Sequence, residues 1–148
     1  MTDKKYGLIL ILPLMAICAC TGQESLPPIP GNVLDFGASM EVIDIDQTNG
    51  DVTVKYTLLV KNKGDTTLET VILKDFITPD DVVMQNDHFV INNLDPGEEY
   101  AVIFNVMVLR WAAGSETDRT WEVSYTIRIE EGNVYTEQEG FYSIHLYR

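Results

Sequence analysis

Two cysteines, Cys18 and Cys20, close an uncharged run near the start of this 148-residue chain, and none follows them. A thiol placed there can be alkylated at a membrane surface. A body without cysteine has no disulfide framework, no thiolate metal site and no thiol nucleophile. Histidine is scarce as well, with only His88 and His145. A Ser-His-Asp arrangement would have to recruit Ser115, Ser124 or Ser143, none in an elbow-like glycine context. Ser143 and His145 share one face of a predicted strand, which holds their side chains roughly 7 Å apart, beyond a direct hydrogen bond. Catalysis is not expected, and both histidines read as surface residues.

Oxygen ligands are denser. Asp44, Asp46, Asn49 and Asp51 crowd one turn, DIDQTNGD, and hard carboxylate oxygens at that density suit calcium. The spacing is not that of an EF-hand loop, whose glycine would fall at the sixth position rather than at Gly50. A second group, Asp75, Asp80, Asp81 and Asp87, flanks the third strand and the loop after it. In so acidic a chain solvated turns are the expected reading of both groups, with calcium as the alternative. No cofactor other than calcium is suggested.

A third kind of chemistry is stacking. Phe141, His145 and Tyr147 fall on one parity of the last predicted strand, and Tyr142, Ile144 and Leu146 on the other. Only one set can face a core, so the other leaves aromatic surface on a terminal strand. Trp111 adds an aromatic in the loop RWAAGSETDRT. Exposed rings stack on sugars or anchor protein partners, and an edge strand can accept a partner strand. Trp111 could instead cap one end of the fold.

The elements that would carry these residues are strands. Val52, Val54, Tyr56, Leu58 and Val60 alternate with Thr53, Lys55, Thr57 and Lys61. Tyr100–Val108 and Trp121–Glu130 repeat that alternation, and shorter candidates are Met40–Asp46, Leu68–Asp75, His88–Asn92 and Phe141–Tyr147. Turn signals separate them at Asn49-Gly50, Lys63-Gly64, Pro79-Asp80, Asp95-Pro96-Gly97 and Gly132-Asn133. About seven short half-buried strands with no helical period predict an all-β, antiparallel immunoglobulin-like sandwich over residues 33–148.

The segment Val60-Lys-Asn62-Lys-Gly64-Asp-Thr-Thr-Leu68-Glu-Thr-Val71-Ile-Leu73-Lys-Asp75 resembles a stretch of immunoglobulin-like domains in prokaryotic surface proteins. These are surface repeat domains and CARDB-like cell-adhesion-related domains. Leu94-Asp95-Pro96-Gly97-Glu98 resembles their turn before a long strand. Asn62 and Gly64 suit a turn with positive φ, and Pro96-Gly97 the centre of a type II turn. The resemblance implies a spacer or adhesive module. A single copy departs from the usual tandem array and speaks against a pure spacer.

Lys4 and Lys5 precede the run Tyr6–Cys20, which is too short to span a bilayer but long enough for a signal peptide. Its end, Ile17-Cys18-Ala19-Cys20, resembles the lipobox of prokaryotic lipoproteins. That resemblance implies a diacylglycerol thioether on Cys20, cleavage after residue 19, and an address on the extracytoplasmic face of the cell membrane. Residues 20–32 then form a stalk, TGQESLPPIPGN following the cysteine, whose prolines favour extended chain reaching roughly 35 Å. Loss of residues 1–19 leaves 22 acidic against 8 basic side chains, a formal charge of −14. Such a surface repels nucleic acid and anionic lipid, so membrane attachment would rest on the acyl chains. The expectation is a non-enzymatic surface lipoprotein that binds protein or glycan near the membrane. Its alternative is an accessory subunit of an envelope secretion, transport or appendage complex.

Overall fold

The computed structural model describes residues 33–114 and 117–147; the leader, Cys20, the proline stretch and Ser115 lie outside the described residues. Eight strands run β1 (Leu34–Ile45), β2 (Val52–Asn62), β3 (Leu68–Ile77), β4 (Val82–Met84), β5 (Phe89–Leu94), β6 (Glu99–Val108), β7 (Asp118–Glu131) and β8 (Val134–Tyr147). Every pairing is antiparallel, in two sheets ordered β1-β2-β6-β4 and β5-β3-β7-β8. The fold is an immunoglobulin-like β-sandwich, and among the described residues there is no helix.

Period-2 burial builds it. Along β2, Val52, Val54, Tyr56, Leu58 and Val60 are buried while the intervening residues are half-covered or exposed. Across the sandwich Trp121, Val123, Tyr125, Ile127 and Ile129 do the same for β7. The middle of the core is aromatic. Phe104 stacks on Tyr56 at 5.6 Å, and Tyr142 closes on Tyr56 at 4.5 Å.

A bulge delivers the remaining ring. The β3–β7 register slips between Lys74 and Ile77, and Asp75 takes φ 54°. The extra residue turns Phe76 inward, where it stacks on Tyr125 at 5.0 Å and 18°. Asp75 is thus a bulge residue, and its carboxylate meets Lys74 Nζ at 2.8 Å.

Two turns follow their chemistry. Gly97 has φ 81° and Glu98 N–H closes the Asp95-Pro96-Gly97 turn on the Asp95 carbonyl at 2.9 Å. Gly132-Asn133 joins β7 to β8 as a two-residue loop with Gly132 at φ 61°.

The Asn62-Lys63-Gly64 turn works differently from the expectation. Neither Asn62 nor Gly64 has positive φ. Asn62 is wholly buried, and its Oδ1 accepts the Gly64 N–H at 2.8 Å. A Cβ on Gly64 would lie 2.7 Å from Val33 Cγ2. Space, not dihedral freedom, requires that glycine.

Three strands depart most from the expectation. β4 has only three residues and follows a Pro-Asp-Asp stretch, so alternation had nothing to act on. β1 begins at Leu34 rather than Met40, because most of its residues stay exposed and show no apolar alternation. β8 begins at Val134 rather than Phe141, since its first half is only partly covered on its inner parity.

Candidate functional site

The parity of β8 is settled by its partner. Trp121 lies opposite Ile144 and Val123 opposite Tyr142, and residues opposite each other share a face. Because Trp121 and Val123 are buried, Tyr142, Ile144 and Leu146 must be, and they are. Phe141, His145 and Tyr147 therefore point outward, with Phe141 55% and Tyr147 74% exposed.

One polar partner from β7 meets this row. Thr120 Oγ1 lies 2.7 Å from His145 Nδ1, and the His145 and Tyr147 rings are 5.7 Å apart. Ser143 faces the same side, and its backbone carbonyl accepts the Tyr56 hydroxyl at 3.1 Å from across the core. His145 thus spends its Nδ1 on Thr120 rather than on Ser143. The row lies exposed on an edge strand, β8.

The same face continues toward the β7–β8 turn. Arg128 lies 3.6 Å over the half-exposed Tyr135 ring. Between the two aromatic ends, Lys74 meets Glu137 at 2.9 Å and Asp75 at 2.8 Å, beside Thr126 and Glu139 in a shallow depression. The hydrogen bond to Asp75, then that to Glu137, raises the Lys74 ammonium above its ordinary pKa. The face reads aromatic, charged, aromatic along about 40 Å of strand. Tyr135 was missed in sequence because the last strand was expected to begin only at Phe141.

Trp111 does not belong with them. It is 7% exposed and meets Trp121 edge-on at 5.4 Å, so it caps the sandwich instead of offering a ring to solvent. Asp81 completes that cap, its Oδ2 accepting Trp121 Nε1 at 2.9 Å and pairing with Arg119 Nη1 at 3.1 Å.

Three side-chain oxygens of DIDQTNGD are used by backbone. Asp46 Oδ1 accepts Thr48 N–H, Asn49 Oδ1 accepts Asp51 N–H, and Asp51 Oδ1 accepts Arg110 N–H, all within 2.7–2.8 Å. Asp44 stands apart on the exposed edge strand. Among the described residues no group of three or more histidine, cysteine, aspartate or glutamate side chains is arranged to hold a metal. These residues lock the β2 entrance to the β6–β7 loop. Gly50 takes part, with φ 81° and its carbonyl accepting Ala112 N–H at 2.8 Å.

No family model matches the chain, and no curated protein matches it. Solved structures do. One is alpha-2-macroglobulin from Escherichia coli, spanning domain MG7 to the C-terminus, at 17% identity and TM-score 0.50 over 76% of this chain. The match spans only 16% of that structure. Another is a FixG-related protein from Vibrio parahaemolyticus, at 18% identity and TM-score 0.35 over 72% of this chain and 94% of that one. A third is a protein from Archaeoglobus fulgidus, at 12% identity and TM-score 0.38 over 77% of this chain and 95% of that one. The first likeness shows the fold.

Proposed function

We propose that this chain is a non-enzymatic surface lipoprotein, tethered by acyl chains on Cys20, whose β8 face binds a protein or a glycan near the membrane. The observation that carries the reading is the outward row Phe141, His145 and Tyr147 on an edge strand of the sandwich. Monomeric folds seldom leave large rings in line on one open face without a use. Flat rings flanked by Thr120, Glu122 and Ser143 suit a ligand with both apolar and hydroxylated surface. The likeness to prokaryotic adhesive domains and the lipobox-like Ile17-Cys18-Ala19-Cys20 supply the address.

The test uses membranes from cells expressing the full chain, Cys20→Ala, and Phe141→Ala/Tyr147→Ala. The native chain should fractionate with membrane and gain the mass of its lipid, and Cys20→Ala should do neither. The double variant should stay membrane-bound but lose at least tenfold in retention on surface polysaccharide or on partner protein recovered with the native chain. Equal retention of native and double variant would sink the binding-face assignment.

A further inference from the structure

Besides β1, the β1-β2-β6-β4 sheet carries a second open edge. β4 pairs with β6 only from Val106 to Val108, and after Met84 the chain leaves for β5 in the other sheet. Among the described residues, the stretch Glu99–Ile103 therefore has β2 on one side and no strand on the other.

Hydrogen-bond alternation says which groups look outward. Leu109 N–H donates to the Asp81 carbonyl on the β4 side, and Asn62 N–H donates to the Glu98 carbonyl on the β2 side. Antiparallel pairs alternate, so odd residues of β6 aim N–H and C=O at the β4 side and even ones at β2. Ala101 and Ile103 accordingly present both groups to the open edge.

The core is thin at the same place. Phe89 and Tyr100 sit on the inner parities of β5 and β6, yet Phe89 is only partly covered and Tyr100 is 45% exposed. With Val90, Ala101 and Ile103 they line a groove of about 430 Å³ beside the edge. Ile103 is 57% exposed. A strand lying in line with β4 would complete the ladder and cover these side chains together.

Charge selects the occupant. Asp95, Glu98 and Glu99 are exposed at one end of the groove and Asp87 near the other, in a chain of net charge −13. Two copies meeting edge to edge would oppose these charges. The chain's own Pro27, Pro28 and Pro30 lack the N–H groups that a ladder needs. We infer that the Glu99–Ile103 edge of β6 accepts an extended segment of a partner protein, alternately apolar and basic at its ends, as an added strand antiparallel to β6. Such docking favours the accessory-subunit alternative, and it does not depend on the β8 face.

The probe is an eight-residue peptide of alternating valine and threonine with lysine at each end, titrated into the full chain in mild detergent. Amide exchange at Ala101 and Ile103 should slow on addition. A peptide N-methylated at alternate nitrogens should bind at least tenfold more weakly. Ile103→Pro should weaken binding of the unmodified peptide by at least tenfold without breaking the β2–β6 ladder, whereas Ile103→Thr should stay within about threefold. Three results overturn the inference: no slowing at millimolar peptide, slowing at β1 or β8 instead, or Ala101 and Ile103 amides already protected in the free chain. The last would assign the edge to a second copy or to a segment of this chain.

Discussion

Asn62 Nδ2 donates to the Leu94 carbonyl at 2.8 Å, joining the end of β2 in one sheet to the end of β5 in the other. The same nitrogen donates to the Thr66 carbonyl at 2.8 Å, and Oδ1 takes the Gly64 amide. One buried amide thus satisfies three backbone groups at the base of the sandwich, where two loops meet.

Removing it should be costly. Asn62→Ala leaves buried carbonyls and an amide without partners, each worth about 1 kcal/mol or more. A loss of about 3 kcal/mol in urea unfolding is expected. Asn62→Asp should be at least as damaging, because a carboxylate would face the Thr66 and Leu94 carbonyls that now accept from Nδ2.

Two glycines differ in what they tolerate. A Cβ on Gly140 would sit 2.7 Å from Tyr125 Cζ and 2.9 Å from Ile127 Cδ1. Side chains can yield, so Gly140→Ala should destabilise by about 1–3 kcal/mol. At Gly50 the obstacle is the Ala113 backbone nitrogen at 2.5 Å, and φ is +81°. Gly50→Ala should therefore lower the melting temperature more than Gly140→Ala does.

The face assignment on β8 has a stability signature. Phe141→Ser and Tyr147→Ser should change unfolding free energy by less than about 0.5 kcal/mol each. Tyr142→Ser, one residue away, should cost about 3–5 kcal/mol. Chemical denaturation of the three variants checks it, and equal losses at Phe141 and Tyr142 would contradict the parity.

Alkali should unfold the domain through its buried phenols. Burial pushes Tyr125 up to about 12, with the Tyr56 phenol adding to it. Tyr142 is raised further by burial, and Tyr56 is raised by burial against the opposing hydrogen bond to Ser143. Because folded values lie above the ordinary 10, this contribution is whole below pH 10 and declines as pH rises toward and past 12. Absorbance titration at 295 nm should show these phenols ionising together with unfolding. Tyr125→Phe should shift that midpoint to higher pH.

Much of this arrangement was legible in residues 33–148. β2, β6 and β7 announced themselves because one face of each is fully buried, and that is what imposes alternation. β1 and the first half of β8 carry little such burden and so left little pattern. The outward parity of β8 was within reach: a two-residue Gly132-Asn133 loop pairs Glu131 with Val134, and counting back sets Trp121 against Ile144. The role of Asn62 was not, because its partner Leu94 lies 32 residues away in a strand of the other sheet. What the acidic turn does was not legible for a related reason. Carboxylates that hold backbone amides and carboxylates that hold an ion share the same residue types.

Leu34 pairs with Asn62 at one end of the sandwich, while Tyr147 lies beside Ile45 and Val52 at the other. A pull between the β8 tip and the chain entering β1 would run along the strand axes. The bonds between β1 and β2 lie across that direction, so they would share the load at once rather than open one by one. The sandwich would then bear tension in shear, the geometry in which a β ladder resists tearing best.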